Sequence, residues 1–174
     1  MNAAVAFHRR PVAPAPSARP QDNRRALWSI LLRSLPEAGA RRARQDAKQF
    51  AISNDTAHAI VREGIAAEVL VPLGELLEIG ATQLAPVIGV DRTTMRRYAQ
   101  NDQTLPRHSA ETVLRLAELE AMALGVFASE SAAHAWLKKE HPLLGESPID
   151  AASTSYGAQR VREILIAIRH GGVV

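Results

Sequence analysis

The sequence predicts an all-α fold organised around a helix-turn-helix pair, and three observations carry that expectation. Hydrophobic residues make up 47% of the chain but aromatics only 4%, so the core must be built from Ala, Leu, Ile and Val, a composition that favours helices. Apolar residues recur at helical spacing in one segment after another between proline and glycine breaks. The stretch from Leu76 to Arg97 reads LLEIGATQLAPVIGVDRTTMRR: an apolar helix end, a short helix opened by Thr82, a tight turn at Gly89, and a second short helix opened by Asp91.

At 174 residues the chain can hold one ordinary globular domain, or two small helical ones sharing a core. It has no cysteine, which excludes disulfides, thiolate metal sites and a cysteine nucleophile. No apolar run approaches the roughly 18 residues of a membrane span, and no apolar core follows the N-terminal arginines as in a secretory signal. A cytoplasmic protein with no membrane partner is the default expectation. The net charge of +3 is unevenly distributed: residues 1–50 carry +7 and the remainder −4. A basic arm ahead of a mildly acidic body suits either contact with a polyanion at one end or a solvated tail.

Taken in order, residues from Met1 to about Asn23 contain four prolines and no periodic pattern, and read as a flexible, partly extended leader. A helix is expected from about Asn23, because Leu27, Trp28, Leu31, Leu32 and Leu35 recur at helical spacing before Pro36. Residues 38–50 favour helix with a thin apolar face, either a surface helix or a linker. Asp55 is the expected cap of a helix with Ala59, Ile60 and Ile65 inward and Gly64 weakening its middle. Val69, Leu70, Leu73, Leu76, Leu77 and Ile79 form an apolar helix from about Pro72 to Gly80.

In the pair itself, Leu84, Ala85 and Ile88 supply the inward face, and Gly89 suits a left-handed turn. Val90 plugs the gap between the helices, while Met95 and Tyr98 turn to the core. Arg92, Thr93, Thr94, Arg96, Arg97 and Gln100 are left outside. Such residues suit a groove-facing helix, since Arg binds phosphate or guanine, Gln pairs with adenine, and Thr touches phosphate or a thymine methyl. An ordinary exposed helix with some arginines is the plainer alternative.

After a turn at residues 101–106, Ser109 is the expected cap of a long helix to about Phe127, apolar around much of its circumference and so buried on more than one side. Ser129 caps a shorter helix with Ala132, Ala133, Trp136 and Leu137 on one face. Trp136 is either a core anchor or a partner contact. A loop through Leu144-Gly145 leads to a turn of helix at 149–152. The last helix begins near Gly157 and places Val161, Ile164, Leu165 and Ile168 on one stripe. Gly171 and Gly172 end it, leaving Val173 and Val174 either to fray or to probe a partner's cleft.

The six histidines show no metal-ligand spacing, and neither a phosphate-binding glycine loop nor a GxSxG elbow occurs, so an enzyme is not expected.

With these residues assembled, the chain from Leu73 to Gly172 resembles the Xre-type antitoxins of the Xre/MbcA/ParS family. The likeness rests on Thr93-Thr94-Met95-Arg96-Arg97, on Leu105-Pro106, on Ala135-Trp136-Leu137, on Leu144-Gly145 followed by Pro148, and on Thr154 with Gly157 before the final helix. The resemblance implies a helix-turn-helix DNA-binding domain (residues 51–124) followed by a helical toxin-binding domain (125–174); the basic Pro/Arg-rich leader with possible helices (1–50) departs from the compact family pattern. It implies a type II antitoxin paired with a cognate RES-domain toxin; no cofactor and no metal are expected. That toxin resembles ADP-ribosyltransferases and degrades NAD, and its active site is covered by the antitoxin's C-terminal domain. The antitoxin also represses the shared operon by binding operator DNA. Carried onto this sequence, Trp136, Arg160, Ile164, Ile168, Arg169, His170, Gly171, Gly172, Val173 and Val174 are the expected toxin-facing residues. A homodimer is expected from the two half-sites helix-turn-helix proteins usually read. The rival reading is a helix-turn-helix transcriptional regulator without a toxin partner.

Overall fold

A computed structural model describes residues 20–33, 35, 52–98 and 103–172, with Arg92 described in its backbone alone. The expected extended leader up to Arg19, the expected helix over 38–50, Gln100, Val173 and Val174 lie outside the described residues.

The first helix, α1 (Pro20–Leu31), begins three residues earlier than its apolar spacing suggests, with Pro20 in the first turn, where its missing N–H costs nothing. It is no free arm. Leu27 and Leu31 are completely buried, Leu32 and Leu35 nearly so, and this part of the expected leader belongs to the core. Helix α2 (Asn54–Glu63) is capped by Ser53, whose Oγ accepts from the Thr56 N–H at 3.2 Å; the expected cap, Asp55, lies in the first turn beside the helix dipole. Gly64 does not sit inside this helix but ends it, at φ +95°, which leaves Ile65 buried just beyond.

Residues 65–67 then run antiparallel to 103–105 for a single bridge: the Ala67 N–H donates to the Gln103 carbonyl at 2.7 Å and the Leu105 N–H to the Ile65 carbonyl at 2.8 Å. Part of the expected turn after the helix-turn-helix is therefore a backbone clasp. A 3₁₀ turn (Ala67–Val69) feeds α3 (Leu70–Leu77), which is buried on Leu70, Leu73, Leu76 and Leu77 and packs against α1. This helix stops at Glu78, held in the left-handed region at φ 54°, and not at Gly80.

Gly80 instead precedes α4 (Ala81–Val87), the first helix of the pair. Thr82, the expected cap, lies inside the first turn; the Gly80 N–H is met by Gln83 Oε1 at 3.4 Å. Helix α5 (Arg92–Tyr98) completes the pair. The long helix α6 (Arg107–Leu124) starts after Pro106 and ends three residues short of Phe127. Its buried Val113, Leu116, Ala117, Leu119 and Ala123 look in several directions, and it packs against α2, α3, α7 (Glu130–Lys138) and α9 (Ser155–Arg169). A one-turn helix, α8 (Pro148–Ala151), joins these last two. The expected Ser129 cap holds, its Oγ accepting from the Ala132 N–H, and the structure adds a second cap in Thr154, whose Oγ1 accepts from the Gly157 N–H. Among the described residues a single apolar cluster runs from Leu27 on α1 to Leu165 on α9.

Candidate functional site

The helix-turn-helix is locked from two sides. Inside, Leu84, Ala85, Ile88, Met95 and Tyr98 are buried as their spacing requires. Gly89 takes φ +74°, and a Cβ there would lie 3.2 Å from the His108 ring, so the turn admits glycine for conformation and for space. From outside, α6 grips the turn's carbonyls: Ser109 Oγ donates to the Ile88 oxygen at 2.8 Å, and His108 Nε2 lies 3.3 Å from the Gly89 oxygen. Ser109 is thus not the expected helix cap. It is completely buried, and it satisfies a turn carbonyl that would otherwise be stranded.

Asp91 caps α5, its carboxylate accepting from the Thr94 N–H at 2.8 Å and from the Thr94 hydroxyl at 2.7 Å. These hydrogen bonds, the backbone one foremost, hold the Asp91 carboxyl below the usual range. Thr94 is accordingly half-buried and occupied, whereas Thr93, Arg96 and Arg97 are exposed. Among the described residues no carboxylate pairs with either arginine. Thr93 and Arg96 also border an open cleft of about 750 Å³, lined on its far side by Leu70, Val71 and Ile79.

At the other end, α9 spends the apolar stripe singled out in the sequence on the core. Val161, Ile164 and Leu165 are buried and Ile168 is half-buried. Arg160, Arg169, His170, Gly171 and Gly172 are exposed, and Arg160 donates to the Leu143 carbonyl. Trp136 is half-buried, with its ring 5.5 Å from Phe127 and 5.8 Å from His141. It packs against the core and remains partly exposed. The two glycines are not frayed: the Gly171 N–H donates to the Ile168 oxygen at 3.1 Å and the Gly172 N–H to the Ala167 oxygen at 2.8 Å, with Gly171 at φ +75°. That is a Schellman turn, and it sets the direction in which the chain leaves the helix.

Between these two ends lies a charged cluster that the sequence did not disclose. Arg24 on α1 reaches Glu120 on α6 through Nη2 at 2.6 Å and Nε at 3.3 Å, and Glu130 on α7 through Nη2 at 2.5 Å. His134, fully buried on α7, stands with Nε2 3.3 Å from Glu120 Oε1 and Nδ1 3.5 Å from Glu78 Oε1. Lys138, one turn on, reaches Glu78 Oε2 at 2.5 Å. Glu120, Glu130 and His134 offer ligand atoms within 4.8 Å of one another, a spacing that would suit a divalent cation. The Arg24 guanidinium already supplies the positive charge there, so the arrangement reads as an ion-pair network. No regular spacing announces it, because its members come from four separate segments.

The fold and these surfaces define a helix-turn-helix protein carrying an appended C-terminal helical domain. Comparison with known proteins is specific: residues 56–118 match the antitoxin Xre-like helix-turn-helix domain, and residues 122–171 match the antitoxin Xre/MbcA/ParS C-terminal toxin-binding domain. A curated relative, Antitoxin Xre of Pseudomonas putida, is 30% identical over 118 residues, covering 66% of this chain and 71% of that protein. The chain belongs to the Xre-type antitoxins, with a helix-turn-helix domain and a toxin-binding domain.

Proposed function

We propose that this antitoxin neutralises a RES-domain, NAD-degrading toxin by laying its C-terminal helix and tail over the toxin's active site, and that it represses its own operon as a homodimer through α5. The observation that carries the first half is the exposed end of α9, where Arg169 and His170 stand outward and a Schellman turn at Gly171 and Gly172 closes the helix, at the end of the segment matched as toxin-binding. The second half is supported by the exposed, unpaired Arg96 and Arg97 on a firmly capped helix. In this reading Arg92, Thr93, Arg96, Arg97 and Gln100 meet operator DNA, with Thr94 serving mainly the cap. Trp136, Arg160, Arg169, His170 and the tail through Val174 meet the toxin, while Ile164 and Ile168 support the helix from within. The helix-turn-helix unit spans 51–124 together with α1, and the toxin-binding unit 125–174.

Co-expression with the neighbouring gene product, followed by purification and an NAD-consumption assay, tests the reading. A stable complex with suppressed NAD loss is expected. Removing residues 171–174 should restore NAD consumption while leaving operator binding intact; full neutralisation by the truncated chain would remove the tail from the mechanism. A chain that binds operator but no RES-type protein would be the regulator without a toxin partner.

A further inference from the structure

Four large apolar side chains are conspicuously exposed among the described residues, and three of them fall between residues 143 and 166: Leu143 at 50%, Tyr156 at 87% and Ile166 at 49%. Single exposed apolar residues are ordinary. Three in one small domain, beside one helix, are less so.

Their placement follows from how α9 is seated. Ala158, Val161, Ile164 and Leu165 are buried, which fixes the helix's rotation. Tyr156, Arg160 and Glu163, at i, i+4 and i+7, therefore form an outward stripe, with Ile166 on its flank. Tyr156 and Ile166 are ten residues apart, about 15 Å along the axis. Leu143 adjoins the stripe: with Arg160, Glu163 and Ile164 it lines a shallow groove of about 310 Å³.

The groove is built before any partner arrives. Leu143 sits on a tight loop closed by the His141 N–H to the Glu146 carbonyl at 3.0 Å and turned at Gly145, φ +73°. Arg160 fastens that loop to the helix through the Leu143 carbonyl. A preformed surface of this kind loses little conformational freedom on binding.

We propose that Leu143, Tyr156, Arg160, Glu163 and Ile166 form the docking face for the cognate toxin, with Tyr156 and Ile166 as the anchoring side chains and the Leu143 groove accepting one apolar side chain of the toxin. This rests on the reading of the chain as antitoxin to a RES-type protein. The face lies within residues 122–171, the segment matched as toxin-binding. Its charges, one Arg and one Glu, do not make the basic surface that nucleic acid demands. Tyrosine and arginine are also over-represented among residues that dominate protein interfaces.

The test is the affinity of the full chain for the purified cognate toxin, compared with a Tyr156→Ala, Ile166→Ala double variant and a Leu143→Asp variant. Arg25→Ala, exposed on α1, is the control. All the altered side chains are at least half exposed or lie outside the core, and unchanged operator binding certifies folding. The double variant should weaken toxin binding by about 100-fold or more and Leu143→Asp by about tenfold, with the control unchanged. Failure of the unaltered chain to bind any RES-type protein overturns the RES-toxin reading and this proposal together. Variants that bind within threefold of the unaltered chain overturn the docking face alone. A change in self-association with toxin affinity preserved would make the face a contact between copies, and the proposal would again be wrong.

Discussion

Gly157 shows how one atom can decide a position. A Cβ there would stand 2.0 Å from the Ala151 carbonyl oxygen and 2.7 Å from its carbon, because the end of α8 comes down directly on the first turn of α9. Neither backbone can give way without moving the cap that Thr154 makes to the same residue. Gly157→Ala should destabilise the chain by about 3 kcal/mol, at the upper end of what an over-packed core costs, in a denaturant titration. A change below about 0.5 kcal/mol would mean that the α8–α9 junction shifts freely.

His134 sets a pH dependence. Its hydrogen bond to Glu120, with further help from Glu78, holds the imidazole above its ordinary range despite burial. A group whose pKa is raised on folding contributes stability that is fully present below the unfolded value of about 6.5 and is lost as pH climbs through the folded value. Thermal midpoints should therefore fall as pH rises above about 6.5, after allowance for other groups. His134→Gln should flatten that segment of the curve; an equal slope in the variant would assign the proton elsewhere. Glu78→Gln, at an exposed carboxylate that is itself held below its usual range chiefly by Lys138, gives a milder version of the same experiment.

At the scale of elements, α5 is a short helix whose orientation is imposed by others. Seven residues cannot hold a helix alone in water. Asp91 starts it, Met95 and Tyr98 pin it, and Ser109 from α6 braces the turn that precedes it. Ser109→Ala should cost about 1–3 kcal/mol, since it strips the Ile88 carbonyl of its hydroxyl partner in a buried place. It should weaken operator binding beyond what the stability loss accounts for. By contrast Arg96→Ala with Arg97→Ala should leave the melting curve unchanged and lower the slope of log affinity against log salt by about 2, if each arginine meets a phosphate. An unaltered salt dependence would remove these two side chains from the DNA contact.

At the scale of the whole molecule, α6 joins the two expected units by packing on α7 and α9, and α1 adds to the same core from α3. Leu27 and Leu31 pack among α3 residues, while Arg24 crosses to Glu120 and Glu130. Helix α7 answers from the other side through His134 and Lys138 at Glu78, the residue that ends α3 just before the helix-turn-helix. Leu27→Ala should therefore destabilise the chain by about 2–5 kcal/mol and lower one common transition, seen alike by probes in the DNA-facing and toxin-facing parts. Two separated transitions would show that the parts unfold independently and that the network is a weak link.

The local features were legible in the sequence for a local reason. Helical periodicity, the Gly89 turn, the Asp91 and Ser129 caps and the family motifs all depend on residues within a few positions of one another. The misplaced caps, Asp55 for Ser53, Thr82 for Gly80 and Ser109 for Pro106, share one cause: each lies within three residues of the true start, where a polar side chain at any of several positions fits the same local pattern. The resemblance places Ile164 on the toxin-facing helix, yet it is buried, because apolar residues on a stripe go to the core first. Tyr156 and Ile166, out of phase with that stripe, were the available signal for the outer face. By itself the sequence determined the helical class, the helix-turn-helix and the basic face of α5, because each follows from residue type and short spacing, and its motifs carried the resemblance to the Xre-type antitoxins. Only the tertiary structure decided that α1 belongs to the core, that Arg24, Glu78, Glu120, Glu130 and His134 meet, and which side of α9 faces outward, because those depend on how distant segments exclude water from one another.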